Sequence, residues 1–64
     1  MDKTVKKLIA THIATAHMYR QLAEEACERR DTFGVFDHIK SSIAEEHKAR
    51  RLEMRYASRE VPVV

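Results

Sequence analysis

This sequence predicts an all-α fold: an antiparallel two-helix hairpin that dimerises into a four-helix bundle. Three observations predict it. First, the chain holds one glycine, Gly34, and one proline, Pro62. Residues 3–30 and 35–58 therefore run free of helix breakers, and both are rich in Ala, Leu, Glu, Lys and Arg, the good helix formers. Second, no period-two alternation argues for strands. Third, 64 residues make one small domain, which buries only about 60% of its unfolded surface. Folds of this size need disulfides, a metal or a second subunit, and Cys27, the only cysteine, has no partner within the chain.

Helix 1 is expected over about residues 3–30. At 100° per residue it places Val5, Leu8, Ile9, His12, Ala16, Tyr19, Ala23 and Ala26 on one face. Its middle, "LIATHIATAHMY", carries no Asp, Glu, Lys or Arg in a chain that is 34% charged. A turn follows over about 31–34 in "RRDTFGVF". Asp31 and Thr32 are N-cap types, and Gly34 suits a left-handed turn position. Helix 2 is expected over about 35–58, with Phe36, Ile39, Ile43, His47, Met54 and Ala57 facing helix 1 and Arg50 beside them. A connection this short makes the helices antiparallel neighbours. Residues 1–60 then form the hairpin domain. The tail "VPVV", 61–64, leaves the helix because Pro62 disfavours helix at Val61.

These faces leave apolar residues over. Ala10, Ile13, Ala14, Met18 and Leu22 lie on the far side or borders of helix 1. Leu52 and Tyr56, with Ala49, make a second patch on helix 2. A helix apolar nearly all round is buried on two sides. The expected dimer interface is accordingly Ala10, Ile13, Ala14, Met18, Leu22, Leu52 and Tyr56, and the simplest closed assembly is a two-fold homodimer.

The histidines carry no recognisable metal or catalytic site. "IAEEHKAR" at 43–50 resembles the second-helix segment of ferritin-like di-iron proteins, whose ligands include Glu-x-x-His. Here Ala44 stands three residues before His47, and helix 1 has no glutamate on its inner face. The ligands themselves are missing, so neither that family nor its iron is assigned. His12 and His17 are about 140° apart around a helix and cannot chelate one ion together. A hairpin pivoting near Thr32 and Phe33 sets His12 level with about residue 53 and His47 level with about residue 18. Two histidines inside a bundle would oppose assembly when protonated. Cys27 falls at a helix C-terminus, which disfavours a thiolate. No Gly-rich phosphate loop and no nucleophile with a base is present. The expectation is a protein that is not an enzyme and needs no cofactor or metal.

Lys48, Arg51, Arg55 and Arg59 recur at spacings of three and four. They form the candidate face for a partner protein, or alternatively for RNA or DNA, since such a row can track a phosphate backbone. No aromatic residues interleave the row for base stacking. A net charge of +2 argues for neither partner by itself. The lone thiol fits a reducing cytoplasm. The apolar run is too short for a membrane span of about 20 residues, and no cleavage-like site follows it. A cytoplasmic protein with no membrane role is expected.

Two near-equal helices and one tight turn resemble, in plan, the Rop-type plasmid copy-number proteins, which are helical-hairpin homodimers that bind paired RNA loops. Size and composition also resemble the small early-region accessory proteins of lambdoid phages, which bind and alter host proteins. These resemblances imply a regulatory interaction protein. No RNA-contacting residue of the Rop type matches a position here, so none is carried over.

Overall fold

The computed structural model describes the backbone of residues 2–60 and the side chains of residues 2–57. Two helices, α1 (Lys3–Glu28) and α2 (Thr32–Glu60), pack against each other as a hairpin. Asp2 starts α1: its Oδ1 accepts from Thr4 N–H at 3.2 Å and its carbonyl accepts from Lys6 N–H at 3.0 Å. The charge-free middle stays satisfied locally, because Thr11 and Thr15 donate their hydroxyls to the carbonyls of Lys7 and Thr11, at 2.9 and 2.8 Å.

The turn is shorter and earlier than expected. Arg30 N–H donates to Cys27 O at 3.0 Å, and Asp31 N–H donates to Ala26 O at 2.8 Å. This crossed pair is a Schellman ending. Its left-handed residue is Arg30, with φ 60°, and not Gly34, which has no positive φ. Asp31 then caps α2 at once, accepting Gly34 N–H on Oδ1 and Val35 N–H on its carbonyl, each at 3.0 Å. Gly34 serves by lacking a side chain. A Cβ there would lie 2.4 Å from Asp31 Oδ2 and 3.3 Å from the Ala26 Cβ. A left-handed non-glycine residue carries a cost of roughly 1–2 kcal/mol. Arg30→Gly is therefore expected to stabilise the hairpin by about 1 kcal/mol, read as a higher urea midpoint with an unchanged slope.

The helices meet along one regular seam. On α1 it comprises Val5, Ile9, His12, Ala16, Tyr19, Ala23 and Ala26; on α2 it comprises Val35, His38, Ser42, Glu45, Ala49, Leu52 and Tyr56. Spacing alternates strictly between three and four, the pattern of a coiled coil. Most of the seam is small. Among the described residues, four of the six buried apolar side chains are alanines, and the largest fully buried side chain is Ser42, whose hydroxyl donates to Ile39 O at 2.8 Å. Bulk enters at the open end, where Leu52 and Tyr56 pack on Val5, Ile9 and Ala49.

The expected α1 face is the one that packs, although Leu8 at its edge stays exposed. The expected α2 face is not. Phe36, Ile39, Ile43, His47, Met54 and Ala57 are exposed, Phe36 at 67% and Met54 at 69%. Close approach of the two backbones requires small groups between them, and isoleucine or phenylalanine would hold the helices apart. The pivot also moves toward the N-terminus. His12 meets Glu45 rather than standing level with residue 53. With only two helices the core has one layer. The Cα radius of gyration is 15.3 Å, against about 11 Å for a compact domain of this length.

Candidate functional site

The seam divides the hairpin surface into two long grooves of different chemistry. The first runs past Ala10, Ile13 and Arg20 of α1 and Ile39, Ile43 and Arg50 of α2. Arg20 and Glu46 form an ion pair across it. Its charges balance: Lys6, Arg20 and Arg50 face Glu24, Glu46 and Glu53. The second groove is lined by Leu8, His12, Lys48, Arg51, Leu52 and Arg55. It carries three cations, of which Lys48 pairs with the carboxylate of Glu45.

Two polar layers interrupt the seam. Nδ1 of His12 donates to Oε2 of Glu45 at 2.5 Å, and Lys48 Nζ donates to Oε1 of the same carboxylate at 3.3 Å. The hydrogen bond from His12, reinforced by Lys48, holds the Glu45 carboxyl below its ordinary 4.5, against an opposing effect of burial. Tyr19 stacks on His38 with ring centroids 6.4 Å apart and an interplanar angle of 23°.

Because the folded carboxyl value is depressed, Glu45 contributes stability that is present above 4.5 and is lost as pH falls through the lowered value. Glu45→Gln is expected to be less stable than the parent at pH 6 and to converge with it toward pH 3. Urea midpoints at the two pH values check this.

The expected site residues separate. Lys48, Arg51 and Arg55 do line one groove together. The side chain of Arg59 and the whole of the 61–64 tail lie outside the described residues. Of the expected dimer contacts, Ala10 and Ile13 line the charge-balanced groove, while Ala14 and Met18 are exposed elsewhere on α1. Leu22 is half-buried. Leu52 and Tyr56 pack within their own hairpin, because they belong to the seam repeat. Phe36, Ile39, Ile43 and Met54, expected inside, are among the bulky side chains left outside. The signal that could have found them is the uninterrupted three-four repeat of Val35, His38, Ser42, Glu45, Ala49, Leu52 and Tyr56.

Cys27 is a free, exposed thiol at the turn end of the first groove. Among the described residues, no cluster of three or more His, Cys, Asp or Glu is placed to hold a metal, and no helix is long and apolar enough to cross a membrane. Comparison with known protein families, with characterised proteins and with solved structures finds no match for this chain.

Proposed function

We propose that this chain is a small non-enzymatic interaction protein. It acts as a homodimer, a four-helix bundle, and presents the Lys48, Arg51 and Arg55 groove to a regulatory target protein in the cytoplasm. The observation that carries this reading is the unlike chemistry of the two grooves. One is apolar and electrically balanced, as a self-association surface requires. The other sets Lys48, Arg51 and Arg55 around exposed Leu8 and half-buried Leu52. Cations around an apolar floor match an acidic, partly apolar protein surface. The plan shared with plasmid and phage accessory proteins supports the same class.

A second reading draws on the same row: it follows one helix face at spacings that track phosphates. Salt separates the two. Three phosphate contacts per hairpin would give a slope of about −3 in log K against log salt, whereas a contact with an apolar floor weakens less. The test is capture of a target from lysate by tagged protein, with and without nuclease, using the parent and a Lys48→Ala, Arg51→Ala, Arg55→Ala variant. A discrete protein that survives nuclease and is lost with the variant is the expected result. Recovery of nucleic acid alone would replace this reading by the second.

A further inference from the structure

The homodimer reading leaves open which face pairs and in which direction. We propose that a second copy of this chain occupies the Ile13–Ile39–Ile43 groove with its turn at the opposite end. The two-fold axis crosses the hairpin level with Ile43. This rests on the homodimer reading and assigns it a surface that keeps Ala10 and Ile13 of the expected interface and replaces the rest with residues of α2.

Exposure and charge point to this groove. Ile13, Ile39 and Ile43 are 40–47% exposed and Phe36 is 67% exposed, while the hairpin interior is filled mainly by alanine. On α2, Phe36, Ile39 and Ile43 repeat at three and four, so they form a second seam with no helix against it. The groove's charges are three of each sign. In the opposite groove a second copy would set Lys48, Arg51 and Arg55 against their own counterparts, and like charges in apposition oppose association.

Register within the groove points to the direction. His12 pairs with Glu45 on one side of the seam and Arg20 with Glu46 on the other. Averaging the two sets each α1 residue n level with about residue 61 − n of α2. At a rise of about 1.5 Å per residue, Ile39 lies about 6 Å from Ile43 toward the turn, and Ile13 about 7 Å from it toward the termini. Arg20 lies about 3 Å toward the turn and Glu46 about 4 Å toward the termini by the same rise. Rotation about an axis level with Ile43 exchanges these positions. Ile39 then meets the second copy's Ile13, Arg20 meets its Glu46, and Ile43 meets Ile43. Arg20 and Glu46 of both copies alternate in sign around the axis. Placing the two turns at the same end would instead set Arg20 against Arg20 and Glu46 against Glu46.

The test is sedimentation equilibrium of the full chain from micromolar to several hundred micromolar, with helicity followed by circular dichroism. The parent is expected to dimerise. Ile43→Lys places two ammonium groups at the axis and is expected to weaken the dimer about 100-fold or more. Met54→Lys, outside the groove, is expected to leave it unchanged. Should Ile43→Lys fail to fold, a Cys27→Ser, Ile43→Cys variant gives an independent readout. A short bis-maleimide should join two copies through position 43, and should not do so in Cys27→Ser, Met54→Cys. A dimer that resists Ile43→Lys and is not joined at position 43, yet dissociates on Met18→Lys, overturns this surface and leaves the homodimer reading intact. A parent chain that stays helical and monomeric throughout overturns both.

Discussion

Ile9→Ala is expected to destabilise the hairpin by about 2–5 kcal/mol. A domain of this size holds only about 3–10 kcal/mol in all, so much of the population should lose its helical signal at 25 °C. Ile9 is 7% exposed and belongs to the cluster with Val5 and Ala49 on which Leu52 and Tyr56 pack. Here branched side chains are buried in the seam, and a two-helix layer has no third element to collapse into the hole. Leu8 is the control. It lies one residue away but is 45% exposed, and Leu8→Ala should cost far less. Urea titrations of the two variants, followed at 222 nm, check the difference. Equal losses would show that the open end is not packed as described.

Ala26→Leu is expected to destabilise by overpacking, at about 1–3 kcal/mol or more. Ala26 is fully buried. Its methyl lies 3.3 Å from where a Cβ on Gly34 would stand, and its carbonyl accepts the Asp31 N–H that closes the turn. A leucine there must push α2 away, and with it the Asp31 cap. Leucine is as good a helix former as most residues, so propensity does not confound the result. Ala14→Leu, at an exposed position of the same helix, supplies the comparison and should be nearly neutral. A thermal melt of Ala26→Leu that matches the parent would refute close approach at the turn.

Much of the fold was legible in the sequence. The long stretches without Gly or Pro marked both helices, and Asp31 was a visible N-cap type, although the second helix was expected only from about residue 35 and begins at Thr32. The α1 face was also legible, since its apolar residues and its packing residues largely coincide. The α2 face was not. Hydrophobicity picks Phe36, Ile39, Ile43 and Met54, whereas contact picks Val35, Ser42, Ala49 and the polar pair His38 and Glu45. A rule that buries the most apolar stripe fails when the neighbouring backbone is close, because size then outranks hydrophobicity. His38 and Glu45 are tolerated only because α1 supplies Tyr19 and His12 opposite them, and a one-helix pattern contains no record of the opposite helix. The turn was misplaced for a related reason. Glycine is the usual left-handed residue, and here Arg30 takes that conformation while the glycine clears space for Asp31 and Ala26. Lys48, Arg51 and Arg55 were legible as one face because three exposed cations on one helix need no partner element to be aligned.

The packing of bulk at the open end bears on how fast the hairpin forms and opens. The chain between Tyr19 and His38 closes a loop of about 19 residues, and that between Ile9 and Ala49 one of about 40. On a logarithmic closure law the longer loop costs only about 0.7 kcal/mol more. Closing from the turn outward therefore meets small, weakly rewarding layers first and the strong clasp last. If closure proceeds in that order, the clasp is unformed in the transition state, and weakening it is expected to accelerate opening more than it slows closure. Substitutions in the alanine-rich half near the turn are then expected to slow folding itself, which stopped-flow refolding of Ala23→Gly against Ile9→Val would read.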